Sequence, residues 1–463
     1  MVSREIDTDY LIVGAGAAGM AFADTLVTDS DAEMVIVDRR HSPGGHWNDA
    51  YPFVRLHQPA MYYGVNSTQL GTDTIDASGL NSGMYAQASA PEICAYFDRV
   101  MRKRLLPSGR VRYLPMSEHV GDGRVISRLT GDTWEVKARK AEVDARYLEP
   151  TIPKTTPPPF EVEPGARCIP VGELSQLAER ADTYVIVGAG KTAIDACLWL
   201  LENGVDPEAI TWVKPREAWL LNRYFAQSGL LVGQILEGVS LQAEAAALAT
   251  SPDELFRLLA DREQLLRVDD HSVPTMFRGP TMSLAELLLL RQVTNVVRLG
   301  HIRRIARDTI VLEHGEVPTS PGAVHVHCAA SGISNAPGIP IFEPGRITLQ
   351  CIRTGLQPFN AALTAYVEIT RDETAEKNRL CPPNRQPNTP GDWIRGTLTQ
   401  WDADREWSRQ SDIAAWLDRS RLNASRGLSA HSNEPRVQEA MARFVSHVRQ
   451  ATSNLRTWSS AVP

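Results

Sequence analysis

Short apolar runs, each ending in a glycine turn or an acidic residue, set the pattern of the N-terminal part of the chain. Tyr10 to Val13 is an apolar strand that leads into GAGAAG, and the residues that follow, to about Val27, have helical character. A second apolar run, Met34 to Val37, ends at Asp38. From His41 to about Gly83 the chain is rich in Gly, Pro, Tyr and Asn, which predicts a long functional loop region and little regular structure. Pro91 to Leu105 has helical periodicity, with Pro91 suited to a first turn. Val111 to about Leu148 alternates apolar and polar residues around two turns, GDG at 121–123 and TGD at 130–132, as an antiparallel meander does.

The stretch from Pro150 to Pro170 is dense in proline, with Pro157, Pro158 and Pro159 in succession, so it reads as a connection between domains. Tyr184 to Val187 starts a second strand–turn–helix unit, and Thr211 to Lys214 is its next strand. Residues 230–295 read as mostly helical, whereas Val296 to Leu312 and Ala323 to Ala330 read as strands. Phe359 to Thr370 is a helix with an apolar face. After about Asp372 the chain becomes polar and rich in Arg, Asp, Trp and Ser, which predicts a helical extension and not a third core domain. The fold class expected is α/β with two Rossmann-like dinucleotide-binding domains. The first is discontinuous, at residues 1–175 and 323–371, and the second occupies 176–322. A helical C-terminal extension completes the chain at 372–463.

With 463 residues there is room for more than one core. The formal net charge of −7 argues against nucleic acid or an anionic membrane surface as the main partner. Six cysteines, none in a Cys-x-x-Cys pair, exclude the closely placed dithiol of disulfide reductases, and none clusters with histidine as a metal site would. The acidic, polar N-terminus lacks a secretory pattern. The most apolar later run, Leu284 to Leu290, is interrupted by Glu286 and too short to span a bilayer, so the expectation is a cytoplasmic protein without a transmembrane segment.

The chemistry lies in the turns. Gly14-x-Gly16-x-x-Gly19 follows a strand and opens a helix. The first glycine allows the tight turn, the second lets backbone N–H groups approach a pyrophosphate, and the third allows helix and strand to pack closely. Asp38, at the end of the next strand, suits the ribose hydroxyls and repels a 2′-phosphate. Ala18 in the turn and Arg39 after the acid belong to the same candidate site. In RRHSPGGHW, Gly45, His46 and Trp47 suggest backbone and ring approaching the second half of a flavin dinucleotide.

Gly188-x-Gly190-x-x-Ala193 repeats the arrangement, with Lys191 and Thr192 inside the turn. A nucleoside-triphosphate loop would need glycine where Val185 stands. The following strand ends in Lys214-Pro215-Arg216 with no acid at its tip. Two cations in that place suit the extra phosphate of NADPH, with NADH left open and a solvated surface pair as the plain alternative.

In this order, the two turns, the GGHW segment and Cys328-Ala329-Ala330-Ser331-Gly332 resemble the flavin-containing monooxygenases and their relatives, over roughly residues 8–370. The resemblance implies bound FAD, NADPH as reductant, and transfer of one oxygen atom from a flavin hydroperoxide to a small molecule. It implies that Gly332 ends a strand beside the cofactor, and that Gln357 and Phe359 begin a helix facing the flavin. The chain departs from the family in having no histidine between Pro150 and Tyr184, where the family's Phe-x-Gly…His…Tyr fingerprint is expected. RYLEPTIP replaces the first Ala-Thr-Gly crossover. Gln58 stands closest to the family's flavin-side asparagine, with His57, Tyr63 and Asn66 as further candidates from the same loop. Partners expected are a small-molecule substrate and molecular oxygen, with a homo-oligomer left open. An FAD dehydrogenase or reductase that does not activate oxygen, and a flavin-bearing partner protein without turnover, remain as alternatives.

Overall fold

Tyr10, Leu11, Ile12 and Val13 are all buried, which requires a strand covered on both faces. In the computed structural model, which describes residues 3–461, they end the strand Ser3–Val13. It pairs in parallel with Met34–Val37 on one side and Thr133–Asp144 on the other. Val111–Leu114 extends this sheet in parallel beyond Met34–Val37, and Arg346–Thr348 adds to Thr133–Asp144. The expected meander is therefore corrected at its start. Within residues 111–148, antiparallel pairing joins Ser117–Gly121, Arg124–Ser127 and the beginning of Thr133–Asp144. Alternation marks a half-buried strand of either direction, and the partner decides which. The helices Ala17–Asp29 and Gln357–Thr370 pack against each other, so segments far apart in sequence share one core.

The second sheet runs in the order Val296–Val297, Ile210–Val213, Thr183–Val187, Ala323–His327, Cys168–Pro170, with every pairing parallel. Two expected boundaries move. Ala323–His327 lies inside this sheet and not with the returning first domain, and Cys168–Pro170 forms its edge, where a proline leaves no ladder bond missing. The chain crosses between sheets near Thr151 outward and Gly332 on return. These two positions exchange backbone hydrogen bonds, Thr151 N–H to Gly332 O at 3.0 Å and Gly332 N–H to Thr151 O at 3.1 Å.

The stretch 230–295, expected to be mostly helical, is about half helix and also contains strands. A small sheet of Leu265–Leu266, Ala218–Asn222 and Met276–Met282 accompanies the helices Gly233–Leu248, Pro252–Asp261 and Leu284–Leu290. The extension holds the helices Thr374–Leu380, Pro390–Trp407, Ser411–Arg419 and Pro435–Ala461, and its side chains are built into the first domain's core and into a separate one. Trp407, Ile413, Trp416 and Leu422 complete the first core. Ile394, Leu398, Leu455 and Trp458 share another with Trp219, Phe256 and Phe277. Among the described residues no helix is long and apolar enough to cross a membrane.

Trp407 is fully buried and donates its indole N–H to the Leu380 carbonyl at 2.7 Å. Trp407→Ala is expected to cost about 3–5 kcal/mol, measured by denaturant unfolding. A loss within about 0.5 kcal/mol, as for surface positions, would show the extension to be peripheral.

Candidate functional site

The helix Ala17–Asp29 begins at Gly16 with no side-chain cap and no acidic residue in its first turn, and Lys191–Glu202 begins in the same way at Gly190. The helices starting after Ser89, Ser283 and Thr389, by contrast, carry full capping boxes. An uncapped helix start leaves several backbone N–H groups without partners and carries partial positive charge, so it favours an anion. Both starts open into one cleft of about 1480 Å³.

Glycine is needed in the first turn for contact as much as for conformation. A Cβ on Gly19 would lie 1.9 Å from the Gly14 carbonyl oxygen, so helix and turn pack backbone to backbone. Gly45 adopts φ +59° and a Cβ there would sit 3.0 Å from Gly16 Cα, while Gly44 N–H donates to Ala15 O at 2.8 Å. The glycine pair of the loop is thus seated on the glycine turn itself. Asp38 lies beneath, its two carboxylate oxygens accepting from Ala15 N–H at 2.7 Å and Arg40 N–H at 2.8 Å. Each oxygen keeps a lone pair for a hydroxyl. Arg39 lines the cleft and pairs with Glu149 at 2.5 Å.

His46 stacks on Trp47 with centroids 5.1 Å apart, and Trp47 Nε1–H donates to the Tyr63 hydroxyl at 2.8 Å. Burial, with the Arg40 charge adding to it, pushes the His46 imidazole down to about 4. His57 and Gln58 line the cleft as well. The loop that carries them is fastened to the second domain, since Arg223 Nε–H donates to His57 O at 2.7 Å and pairs with Glu286 at 2.7 Å. Burial and the charges of Lys191 and Arg223 hold the His57 ring well below its usual range.

At the second turn, Gly188, Gly190, Lys191 and Thr192 line the cleft, while Ala193 is fully buried beneath it at the close-packing position. A Cβ on Gly190 would meet nothing within 4 Å. Lys191 pairs with Asp195, which also accepts from the Tyr51 hydroxyl at 2.6 Å and so ties this turn to the first domain's loop.

Besides Gly19 and Ala193, which sit at the close-packing positions of the two turns, three candidates do not reach the cleft. Lys214 is 2% exposed, bonded to Glu217 at 2.6 Å and laid over the Trp212 ring, so it is spent inside the protein and is not a phosphate reader. Asn66 accepts from the Ser420 hydroxyl at 3.0 Å and anchors the extension. Phe359 is buried between Trp407 and Trp416. Arg216, by contrast, is exposed at the cleft with no hydrogen bond or ion pair among the described residues. Arg278 joins it there, held below its usual range by burial and by the Arg216 charge. Arg278 carried no sequence signal, because a lone arginine in a strand becomes notable only when the fold sets it beside another cation. Gln357, at a helix start, and Gly332, at the crossover, both line the cleft, as does Arg353, which the sequence did not single out.

The turns, the parallel sheets and the crossovers define a protein with two Rossmann-like dinucleotide-binding units. Residues 12–64 match the NAD(P)-binding Rossmann-like domain family. The uncharacterized protein Rv2000 of Mycobacterium tuberculosis is 46% identical over 439 residues, covering 94% of this chain and 81% of that protein. The chain belongs to the same family as this mycobacterial protein. Among solved structures, a flavin monooxygenase mutant from Stenotrophomonas maltophilia aligns at TM-score 0.44 and 15% identity, covering 81% of this chain and 100% of that one. A cyclohexanone-bound cyclohexanone monooxygenase aligns at TM-score 0.46 and 11% identity, covering 96% of this chain and 99% of that one.

The His46 titration gives a pH signature. An unfolded chain protonates this ring near pH 6.5 and the folded one near 4. Its contribution is complete above the unfolded value and is lost as pH falls through that window. Thermal melts should show His46→Gln flattening the acid-side loss by on the order of 1–3 kcal/mol. An unchanged slope would refute the assignment.

Proposed function

We propose that the protein is an FAD-dependent, NADPH-using monooxygenase that adds one oxygen atom to a small molecule. The single observation behind this reading is the pair of uncapped helix starts that open into one cleft, each preceded by a glycine turn at the end of a parallel strand. Gly14, Gly16 and the N–H groups of Ala17 and Ala18 would hold the FAD pyrophosphate. Asp38, with a lone pair free on each oxygen, would take the adenosine ribose, a contact that FMN would lack. Gly188, Gly190, Lys191 and Thr192 would hold the nicotinamide dinucleotide, and Arg216 with Arg278 would receive its 2′-phosphate.

Bound flavin supplies hydride acceptance from the nicotinamide and reaction with dioxygen. The overall reaction balances as substrate, dioxygen, NADPH and a proton giving oxygenated substrate, water and NADP⁺. Trp47, His46 and Tyr63 wall off one side and keep water out. His57 Nδ1 accepts Thr281 N–H at 3.4 Å, which leaves the ring proton on Nε2 of a neutral imidazole. Gln58 beside it presents an amide that both donates and accepts.

Anaerobic mixing of the purified holoprotein with NADPH, followed by labelled dioxygen and product analysis, tests the reading. Bleaching of the flavin and label in the product are expected. Bleaching without label means a dehydrogenase or reductase, and no bleaching means a flavin-bearing partner protein. A colourless protein that refuses FAD removes the proposal altogether.

Arg216→Ala should weaken NADPH by about 1–3 kcal/mol while leaving NADH nearly unchanged. Equal losses, by calorimetry, would remove Arg216 as the phosphate reader.

A further inference from the structure

The helix Pro390–Trp407 connects the two halves of the molecule across the cleft. Ile394 and Leu398, near its start, are buried with Trp219, Phe256 and Phe277. Ala403 and Trp407, near its end, are buried in the core of the first domain. Between these anchors, Trp393, Gly396, Thr397, Gln400, Trp401 and Asp404 all line the cleft. Their spacing of three, four, seven, eight and eleven residues from Trp393 puts them on one continuous helix face. The helix is therefore a fixed roof, and one whole face of it looks into the cavity.

That roof presents rings and no uncompensated charge. Trp393 packs its ring on Phe256 and Phe277 with centroids 5.5 and 5.9 Å apart, and Trp401 meets Phe444 at 6.0 Å, yet both indoles remain partly exposed. The acidic groups nearby are already in use. Asp392 accepts from the Asn388 and Thr389 N–H groups at 3.0 Å each and from Arg395 at 2.8 Å. Asp404 is paired with Arg353, whose guanidinium also donates to Asn423 at 2.9 Å and lies over the Phe359 and Trp407 rings. Phe225, Leu236 and Val239 also line the cleft, the last two from the helix Gly233–Leu248. An ionised ligand laid against this face would lose hydration and find no counter-charge on the helix itself, whereas an uncharged apolar one would gain contact.

We infer that the cleft-facing side of Pro390–Trp407 forms the binding chamber for an uncharged, largely apolar small molecule. Its designation as the substrate chamber rests on the proposed oxygenation, but the binding itself does not. Thr397 sits midway along the face and sets which ligands are admitted.

Three compounds sharing one ring provide the probes: indole, tryptamine and indole-3-acetate. Calorimetric titration uses the full-length protein saturated with FAD and NADP⁺, so that the cationic phosphate sites are filled. Indole is expected to bind at least tenfold tighter than either charged relative. Thr397→Glu, which adds an uncompensated carboxylate, should reverse the order so that tryptamine binds better than indole. FAD absorbance and melting temperature of the variant should stay at wild-type values, which separates a changed chamber from a lost fold. As a second variant, Thr397→Trp should cut indole affinity at least tenfold. Equal binding of the three probes by the wild type, or an unchanged order in Thr397→Glu, would overturn the inference. Failure of FAD or NADP⁺ to bind is read separately and counts against the proposed function, since indole and tryptamine, neither of them an anion, can still be compared without either.

Discussion

Two sets of backbone N–H groups with no partner among the described residues organise this molecule. A helix that starts after glycine, with alanine or a cation in its first turn and no capping carboxylate, leaves its first donors exposed and its positive end bare. Here that happens twice, at Gly16 and Gly190, each time directly after a parallel strand. The glycine at each second position keeps the approach to these donors free of side chain. The close contact of Gly19 with the Gly14 carbonyl keeps the first helix pressed on its strand, which is what aims the donors at the cleft.

One cleft joins the two helix starts because the chain passes between its sheets through paired crossovers. Thr151 and Gly332 bond to each other there, so the outward and return strands form a single short joint. Further ties come from the long loop of the first domain. Arg223 grips the His57 carbonyl from one side, and Arg421 of the extension donates to Tyr63 O at 2.7 Å from the other. Tyr51 reaches across to Asp195. The loop carrying His57 and Gln58 is irregular in secondary structure but held at both flanks, which is how a glycine- and proline-rich segment presents side chains at fixed positions.

Electrostatics divide the cleft by zone. Among the described residues Arg216 and Arg278 line the cleft with no carboxylate partner, and the Arg216 charge adds to the burial that holds Arg278 below its usual range, an arrangement that favours an anionic ligand. Along the helix Pro390–Trp407, Asp404 is paired with Arg353, and aromatic surface is left.

The sequence by itself determined both glycine turns, the acid at Asp38, the cation at Arg216 and the α/β class, because each depends on residues close together in the chain. Backbone approach, helix starts and strand–turn–helix order are local properties. Tertiary structure decided what rests on distant partners. Lys214 and Arg216 are two residues apart, yet one is buried on Glu217 and the other is open, since both lie past the end of Ile210–Val213, where the chain bends at Pro215 and no strand periodicity relates them. Val111–Leu114 is parallel because its partner is Met34–Val37, which alternation alone does not reveal. The extension reads as a polar appendage from composition, but its few tryptophans, leucines and isoleucines recur at helical spacing and fill two separate cores. Arg278, Arg353 and the roof helix enter the site only because the chain returns to it, and burial against a remote segment leaves no mark on local sequence.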